Sequence, residues 1–266
     1  MPYSAAMAQG IIDSHCHLDA PDFALDRASV WARARAAGVT ALILPAYDPR
    51  QWQRLAEVAA TNSAWFAAFG AHPCYLEALS ETMVQSWERD LRRYLGAAVA
   101  LGEVGLDRGA GAAPWKVQMD FLNRQLDLAE ELNLPVIFHA RRCTEDLLQT
   151  LRHRSGLRGV IHSFAGSWVQ AQKALDLGLH LGLGGALTHP RAQRLRELAA
   201  RLPAGTFLLE TDAPWQAPAD GLGVRNEPAR IVSVLSTLAA LRAEDPDSLA
   251  AATAATARSL FALSES

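Results

Sequence analysis

The chain has 266 residues and half of them are hydrophobic, which suits a folded protein with a sizeable core and excludes a disordered chain. Its formal net charge is −3 and its basic residues are scattered, which argues against tight binding of nucleic acid through charge alone. Its three cysteines are too few for a disulfide framework, so we expect a protein of the reducing cytoplasm.

Short apolar segments alternate with longer amphipathic segments along the whole chain. The apolar segments are nearly continuous, as in strands buried on both faces of a parallel sheet, and predict strands at 10–13, 41–45, 65–70, 99–102, 136–139, 159–162, 180–183 and 206–210. The amphipathic segments predict helices at 26–37, 50–61, 82–95, 115–132, 144–154, 167–177, 192–202, 228–241 and 247–260.

Roughly eight βα units in a chain of this length predict a (β/α)8 TIM barrel. We expect one domain over residues 1–266, with an ordered core over about 10–262. A doubly wound open sheet is the alternative, but it normally has a glycine-rich phosphate loop after its first strand. This chain has Asp-Ser-His-Cys-His at 13–17 instead, which favours the barrel.

Neither a membrane segment nor a leader is expected from the sequence. No apolar segment is long enough to span a bilayer. Residues 1–9 have neither a basic stretch nor a long apolar stretch, so we expect no signal peptide.

Residues with metal-binding chemistry gather where the predicted strands end. His15 and His17 are placed at the end of the first strand, where side chains two residues apart point the same way. The carboxyl ends of all barrel strands share one face, on which active sites lie. Four imidazoles and two carboxylates suit one or two divalent cations, and the two oxygens of one carboxylate can bridge two ions. The candidate ligands are His15, His17, Glu103, His139, His162 and Asp212.

Each candidate has an ordinary alternative when it is taken alone. An aspartate after a strand is more often a helix cap, and a histidine at a strand end is more often a satisfied core group. Their joint position on one predicted face favours the metal site over these alternatives.

Three further residues are placed near the same face. Arg141 follows His139 by two residues, and its planar guanidinium suits a phosphate, although a surface arginine is the alternative. His72 precedes Pro73, which favours an extended backbone, and its alternative is a loop histidine that caps a helix. Trp215 is either a stacking surface for a base or a packing residue.

At these residues the chain resembles the TatD family of metal-dependent deoxyribonucleases, within the amidohydrolase-like barrel superfamily. The resemblance covers nearly the whole chain, and the order and spacing of its segments are specific. The segments are DSHCHLD at 13–19, GAHP at 70–73, GEVGLD at 102–107, HAR at 139–141, HSFAG at 162–166, ETDAP at 210–214 and RNEP at 225–228.

The resemblance implies a role for each candidate residue. His15 and His17 hold one metal with Asp212, Glu103 bridges both metals, and His139 and His162 hold the second. His72 and Arg141 contact the scissile phosphate. Asp212 accepts the proton of the attacking water, so Glu103 and Asp212 are the catalytic pair. Asp13 tends to be structural in the family and is left out of the ligand set.

The resemblance also implies cofactors, substrate and activity. We expect two divalent ions per chain (Mg, Mn or Zn) and a 3′–5′ exonuclease-like phosphodiesterase that acts on DNA or short oligonucleotides. We expect a monomer with no obligate protein partner and no membrane attachment.

Two other functions remain open at this stage. One is a related hydrolase of a small amide, ester or lactone; many of these bridge their metals with a carboxylated lysine after the fourth strand. The two lysines here, Lys116 and Lys173, fall in predicted helices, which favours the nuclease. The other is a non-catalytic metal scaffold, for which His72 and Arg141 would be unexplained spare polar groups.

Overall fold

The computed structural model describes residues 10–154 and 156–264, so the expectation about residues 1–9 lies outside the described part. Its strands form one eight-stranded parallel sheet in chain order. They are β1 (Ile11–Asp13), β2 (Val39–Pro45), β3 (Trp65–Phe69), β4 (Ala100–Asp107), β5 (Val136–Arg141), β6 (Gly159–Ile161), β7 (Leu179–Leu183) and β8 (Phe207–Leu209).

A helix follows each of the first seven strands, and two helices follow the last. They are α1 (Arg27–Ala36), α2 (Trp52–Ala59), α3 (Glu81–Leu95), α4 (Trp115–Leu132), α5 (Thr144–Leu151), α6 (Trp168–Asp176), α7 (Gln193–Arg201), α8 (Ile231–Arg242) and α9 (Pro246–Phe261). Local chemistry fixes several ends: Ser167 and Gln170 form a capping box at the start of α6, and Asn133 ends α4 with a left-handed φ of 50°. No helix of the described residues is long and apolar enough to cross a membrane.

The sheet closes on itself between β8 and β1. The backbone N–H of Ser14 donates to the carbonyl oxygen of Leu209 at 2.9 Å, and the N–H of Asp212 donates to that of His15 at 2.8 Å. These bonds place the segments that follow β1 and β8 side by side. The TIM-barrel prediction is confirmed.

Apolar side chains fill the interior of the barrel. Inward residues of β1 to β6 and β8, such as Ile43, Ile137 and Leu208, form one buried cluster with residues of α9 that include Leu260 and Phe261. A second, larger cluster lies between the strands and the surrounding helices. The polar side chains of the candidate site lie at the end of the barrel where this apolar interior stops.

A β-bulge in β4 directs Glu103 into the barrel. Ala100 faces inward and Leu101 outward, so strict alternation places Gly102 inward and Glu103 outward. The β4–β5 register shifts between Gly102 and Val104, which makes Glu103 the additional residue. After the shift Val104 packs in the outer cluster, and Glu103 points to the interior.

On β1, β4 and β5 the site residues lie differently relative to the strand from the sequence expectations. β1 ends at Asp13, so His15 and His17 lie in the loop after it rather than in the strand. The reason is that Ser14 pairs across the closure with β8 instead of extending the β1–β2 ladder. Glu103 lies within β4 and not after it, and β5 continues past His139.

Candidate metal centre

Four side chains converge over the junction of β1 and β8. Nε2 of His15 lies 3.1 Å from Nε2 of His17, 3.4 Å from Oε2 of Glu103 and 3.5 Å from Oδ1 of Asp212. Nε2 of His17 lies 3.3 Å from the same Asp212 oxygen and 3.8 Å from the same Glu103 oxygen. Two nitrogens and two oxygens therefore surround one point; these four residues are called cluster A.

A second group, cluster B, surrounds the other oxygen of Glu103. Oε1 of Glu103 lies 2.8 Å from Nε2 of His162 and 3.0 Å from Nδ1 of His139, and these two nitrogens are 3.2 Å apart. Nε2 of His72 is 3.5 Å from the same oxygen. Glu103 is thus shared, with one oxygen in each cluster.

Partners outside the clusters orient two of the imidazoles. Nδ1 of His17 lies 3.0 Å from the carbonyl oxygen of Pro45, which only accepts, so Nδ1 carries a proton and Nε2 is the nitrogen that faces cluster A. Nε2 of His139 lies 2.9 Å from Oδ2 of Asp107. Burial opposes ionisation of Asp107, but the bond from His139 holds its pKa at about 2, so Nε2 donates and Nδ1 faces cluster B.

The donor set fits divalent cations. A tetrahedral ion with bonds of about 2.0–2.1 Å places its ligand atoms about 3.3 Å apart. The separations within cluster A are 3.1–3.8 Å, and those among the ligand candidates of cluster B (Glu103, His139 and His162) are 2.8–3.2 Å. Imidazole nitrogens with carboxylate oxygens suit Zn, Mn or Fe better than an all-oxygen site would.

The charges of the centre are strongly coupled because the residues are buried. Burial opposes ionisation of Glu103, but His162, His72 and His15 outweigh it and hold the pKa of Glu103 well below its usual range. Burial lowers the pKa of His15 to about 4, and His162 adds to the effect. Burial also disfavours the charge of His162, yet the carboxylate of Glu103 raises its pKa to about 10.

Hydrogen bonds to its backbone and to its side chain fix the position of Asp212. It has a φ of 54°, and its N–H donates to the carbonyl oxygen of His15. The amide nitrogen of Gln216 donates to Oδ2 at 2.6 Å, which leaves Oδ1 toward cluster A. The carboxylate of Asp13 accepts from the N–H and the hydroxyl of Thr211 at 3.0 and 2.6 Å, and so fixes the preceding turn.

A cavity of about 260 Å³ opens over the two clusters. Its walls include Arg141 and the aromatic rings of Tyr47, Tyr75 and Trp215. It adjoins a wider cavity of about 760 Å³ that shares His139, His162, Arg141 and Gln216. A ligand longer than one small group therefore has room to extend from the centre.

Comparison with known proteins decides the family. A family model described as TatD related DNase matches residues 12–262. The chain belongs to the TatD family. It is 39% identical over 243 residues to the uncharacterized metal-dependent hydrolase YjjV of Escherichia coli K12, which covers 91% of this chain and 93% of that protein.

Two other comparisons agree with this membership. The chain is 35% identical over 262 residues to the 3′-5′ ssDNA/RNA exonuclease TatD of Erwinia amylovora, which covers 95% of this chain and 100% of that protein. The crystal structure of YjjV, a TatD homologue from Escherichia coli, has a TM-score of 0.90 at 36% identity, over 96% of this chain and 98% of that one. The resemblance found in the sequence is confirmed, and this TatD-family chain is a metal-dependent hydrolase.

The structure brings all six candidate ligands of the TatD-family chain together, and their role as ligands stays a prediction. His72 lies against cluster B, and Arg141 lines the cavity. Cys16 is buried away from the clusters, with its thiol 3.8 Å from the carbonyl oxygen of Ala213. The six ligand candidates are His15, His17, Glu103, His139, His162 and Asp212.

The sequence did not single out three residues that support the centre. Asp107 holds His139, Gln216 holds Asp212, and the buried carboxyl of Glu210 lies 3.9 Å from Nδ1 of His162. Asp107 and Glu210 both lie inside segments that carry the TatD resemblance, at the end of GEVGLD and the start of ETDAP. That placement was the only signal, because their partners come from other strands.

Proposed function

We propose that this TatD-family hydrolase is an exonuclease that removes nucleotides from the 3′ ends of single-stranded DNA, with two divalent cations at clusters A and B. The observation that carries the proposal is that the two oxygens of the Glu103 carboxylate face different clusters. Oε2 lies 3.4 Å from His15 and Oε1 lies 2.8 Å from His162, so each oxygen faces a separate group of imidazoles. A carboxylate that presents one oxygen to each of two such groups can hold two cations close together, as two-metal hydrolysis needs.

Two cations, when bound, supply Lewis-acid stabilisation of phosphate charge and activate water. Glu103 contributes one oxygen to each cluster and fixes their separation. Asp212 accepts the proton of the attacking water, because His17 holds its pKa below the usual range against the effect of burial and keeps it ionised. Gln216 occupies Oδ2 of Asp212 and so keeps the carboxylate in one orientation.

His72 and Arg141 are the groups we assign to the scissile phosphate. Both line the cavity over the clusters. Arg141 has no salt-bridge partner among the described residues, so its guanidinium is available to an anion. Nδ1 of His72 accepts from the N–H of Cys74 at 3.1 Å, which leaves Nε2 as the donor toward the cavity.

An aromatic wall supports a nucleotide substrate over a small amide or lactone. Trp215 is 44% exposed, and its ring lies 5.0 Å from that of His17 and 5.7 Å from that of Tyr47. Aromatic faces stack on bases of any sequence, which suits removal of successive terminal nucleotides. The Erwinia amylovora relative that bears the name of a 3′-5′ exonuclease supports the same reading.

The proposal also covers the identity of the ions and the oligomeric state of the active protein. Mg, Mn and Zn are the candidate ions, and elemental analysis of protein purified without chelator identifies the resident one. All six ligand candidates come from one chain, so we expect a monomer to be active, without a protein partner.

The test uses single-stranded DNA labelled at its 5′ end, incubated with purified protein and Mg²⁺ or Mn²⁺. We expect a ladder of products that shorten from the 3′ end, and protection when the terminal 3′ linkages are phosphorothioates. Matched single-stranded RNA in a parallel reaction measures the preference for the sugar. Intact oligonucleotides together with turnover of a small ester or lactone would replace the proposal with the related hydrolase activity.

A further inference from the structure

Three buried polar atoms lie behind the clusters without a hydrogen-bond partner among the described residues. They are Nδ1 of His15, Nδ1 of His162 and Oε2 of Glu210. Buried polar atoms are paired in the great majority of cases, so three together need an explanation. The proposed mechanism uses the opposite nitrogen of each imidazole and does not use Glu210.

The two imidazoles are stacked, and each belongs to a different cluster. The rings of His15 and His162 lie 4.0 Å apart with an interplanar angle of 15°. Their Nε2 atoms face the two oxygens of Glu103, at 3.4 and 2.8 Å. Both Nδ1 atoms therefore lie on the far edges of the rings, away from Glu103.

Glu210 is a carboxylate that lies close to both imidazoles. Nδ1 of His162 is 3.9 Å from Oε1 of Glu210, and one donor atom from each of His15, His162 and Glu210 fit within 4.8 Å of one another. The nearby carboxylate of Asp13 already accepts from Thr211 and from the N–H of His15. Glu210 has an oxygen that is free to accept.

Neighbouring residues enclose the Glu210 carboxylate closely. Glu210 is 1% exposed, and the N–H of Ser163 donates to its Oε1. A Cβ at Gly182 would lie 2.2 Å from Oε2, so the glycine in β7 is what leaves room for the side chain. A buried ionisable group without a hydrogen-bond partner lowers the stability of the fold. This indicates that N–H donors of the imidazoles are the missing partners of the Glu210 carboxylate.

We propose that Glu210 is a positioning residue that accepts the Nδ1–H of both His15 and His162, and thereby aligns one ligand of each cluster. An imidazole that binds a cation through Nε2 carries its proton on Nδ1, and an acceptor there fixes the ring and raises its basicity. One carboxylate with two oxygens serves both rings. The inference rests on the proposed two-cation centre, and it predicts that the two cations lose affinity together when Glu210 is changed.

The test is titration of the metal-free protein with Mn²⁺ or Zn²⁺ by calorimetry, for wild type and for Glu210→Gln and Glu210→Ala. We expect two bound ions in wild type and a loss of roughly 10–100-fold in affinity at both subsites in Glu210→Ala. Glu210→Gln keeps one oxygen acceptor and is expected to fall between the two. Glu197→Gln, which removes a carboxylate from an exposed position of α7, is the matched control and should leave both affinities unchanged.

Gly182→Ala gives a second route to the same question, because it displaces the carboxylate without removing it. If circular dichroism shows that both Glu210 variants are unfolded, the metal affinities of Gly182→Ala test the inference instead. A direct readout is the ¹H–¹⁵N correlation spectrum of the Zn-loaded protein, in which the Nδ1–H protons of His15 and His162 should be deshielded in wild type and shift upfield in Glu210→Gln.

Wild-type affinity for both ions in Glu210→Ala, or loss at one subsite only, would overturn the inference. So would a wild-type protein that binds fewer than two ions. A wild-type protein that binds two ions but leaves oligonucleotides intact would refute the nuclease proposal alone, because the positioning role is read from the metal affinities.

Discussion

Asp107 accepts a hydrogen bond from Nε2 of His139 at 2.9 Å, and this contact turns Nδ1 of the imidazole toward Glu103. A residue outside the ligand set therefore decides which nitrogen of His139 faces cluster B. Carboxylates in this position are worth about 10–100-fold in metal affinity or activity in other metal sites.

We expect Asp107→Asn to lower the affinity for the ion at cluster B by about 10–100-fold and to leave the affinity at cluster A nearly unchanged. The amide no longer carries the charge that holds His139 in this tautomer. Calorimetric titration of the metal-free variant separates the two subsites. Equal weakening at both subsites would contradict the assignment of Asp107 to His139 alone.

Glu103→Gln should reduce metal-dependent hydrolysis by about 10³-fold or more, because it removes the negative charge that both clusters share. We expect the fold to persist, since the amide has nearly the same volume. Circular dichroism checks the fold, and the oligonucleotide assay checks the activity. Full activity in this variant, measured beside the exposed control Glu197→Gln, would refute the bridging role.

Arg141→Ala should lower kcat/KM for an oligonucleotide by about 10–100-fold, because a guanidinium contact to phosphate is lost. Arg141→Lys should recover only part, since an ammonium cannot make the bidentate contact. The neighbouring Arg142→Ala removes the same charge from a position that lines only the wider cavity, and is the matched control. Similar losses for Arg141→Ala and Arg142→Ala would show a general charge effect and not a specific contact.

Trp215→Ala should raise KM for single-stranded DNA by about 10-fold, in line with about 1–3 kcal/mol for stacking on one base. Trp215→Phe should restore most of the affinity. The same variants should differ little in turnover of a small chromogenic phosphodiester without a base. An equal loss on that small substrate would assign Trp215 to support of His17 instead.

Metal binding should release a proton near neutral pH. Burial disfavours the charge of His162, but Glu103 raises its pKa to about 10 in the metal-free protein, so the imidazole is protonated below that pH and must lose the proton to bind an ion. The apparent affinity at cluster B should therefore rise with pH between about 6 and 9. Calorimetry in buffers of different ionisation enthalpy measures the proton count, and a pH-independent affinity with no proton release would contradict this.

The barrel was predictable because its strands are buried on both faces and read as continuous apolar segments. The ends of those strands were less predictable. Alternation along β4 places Glu103 outward, and only the bulge opposite β5 turns it inward. The loop after β1 follows β8 across the closure, through the bond from Ser14 to Leu209, and that contact between residues 195 apart leaves no local pattern.

The ligand residue types were visible in the sequence, but their supports were not. Histidines and carboxylates at strand ends are recognisable by type and position. Asp107 and Glu210 act on side chains that follow or belong to other strands, so their roles depend on distances that only the folded barrel sets. Gln216 bonds Asp212 within the loop after β8, but that contact depends on a loop conformation that residue types alone do not indicate.

Anomalous diffraction from crystals grown with Zn²⁺ or Mn²⁺ tests the central claim most directly. We predict two peaks per chain, one bonded to Oε2 of Glu103 with His15 and His17, and the other bonded to Oε1 with His139 and His162. A single peak, or two peaks of which neither is bonded to Glu103, would contradict the shared-carboxylate centre.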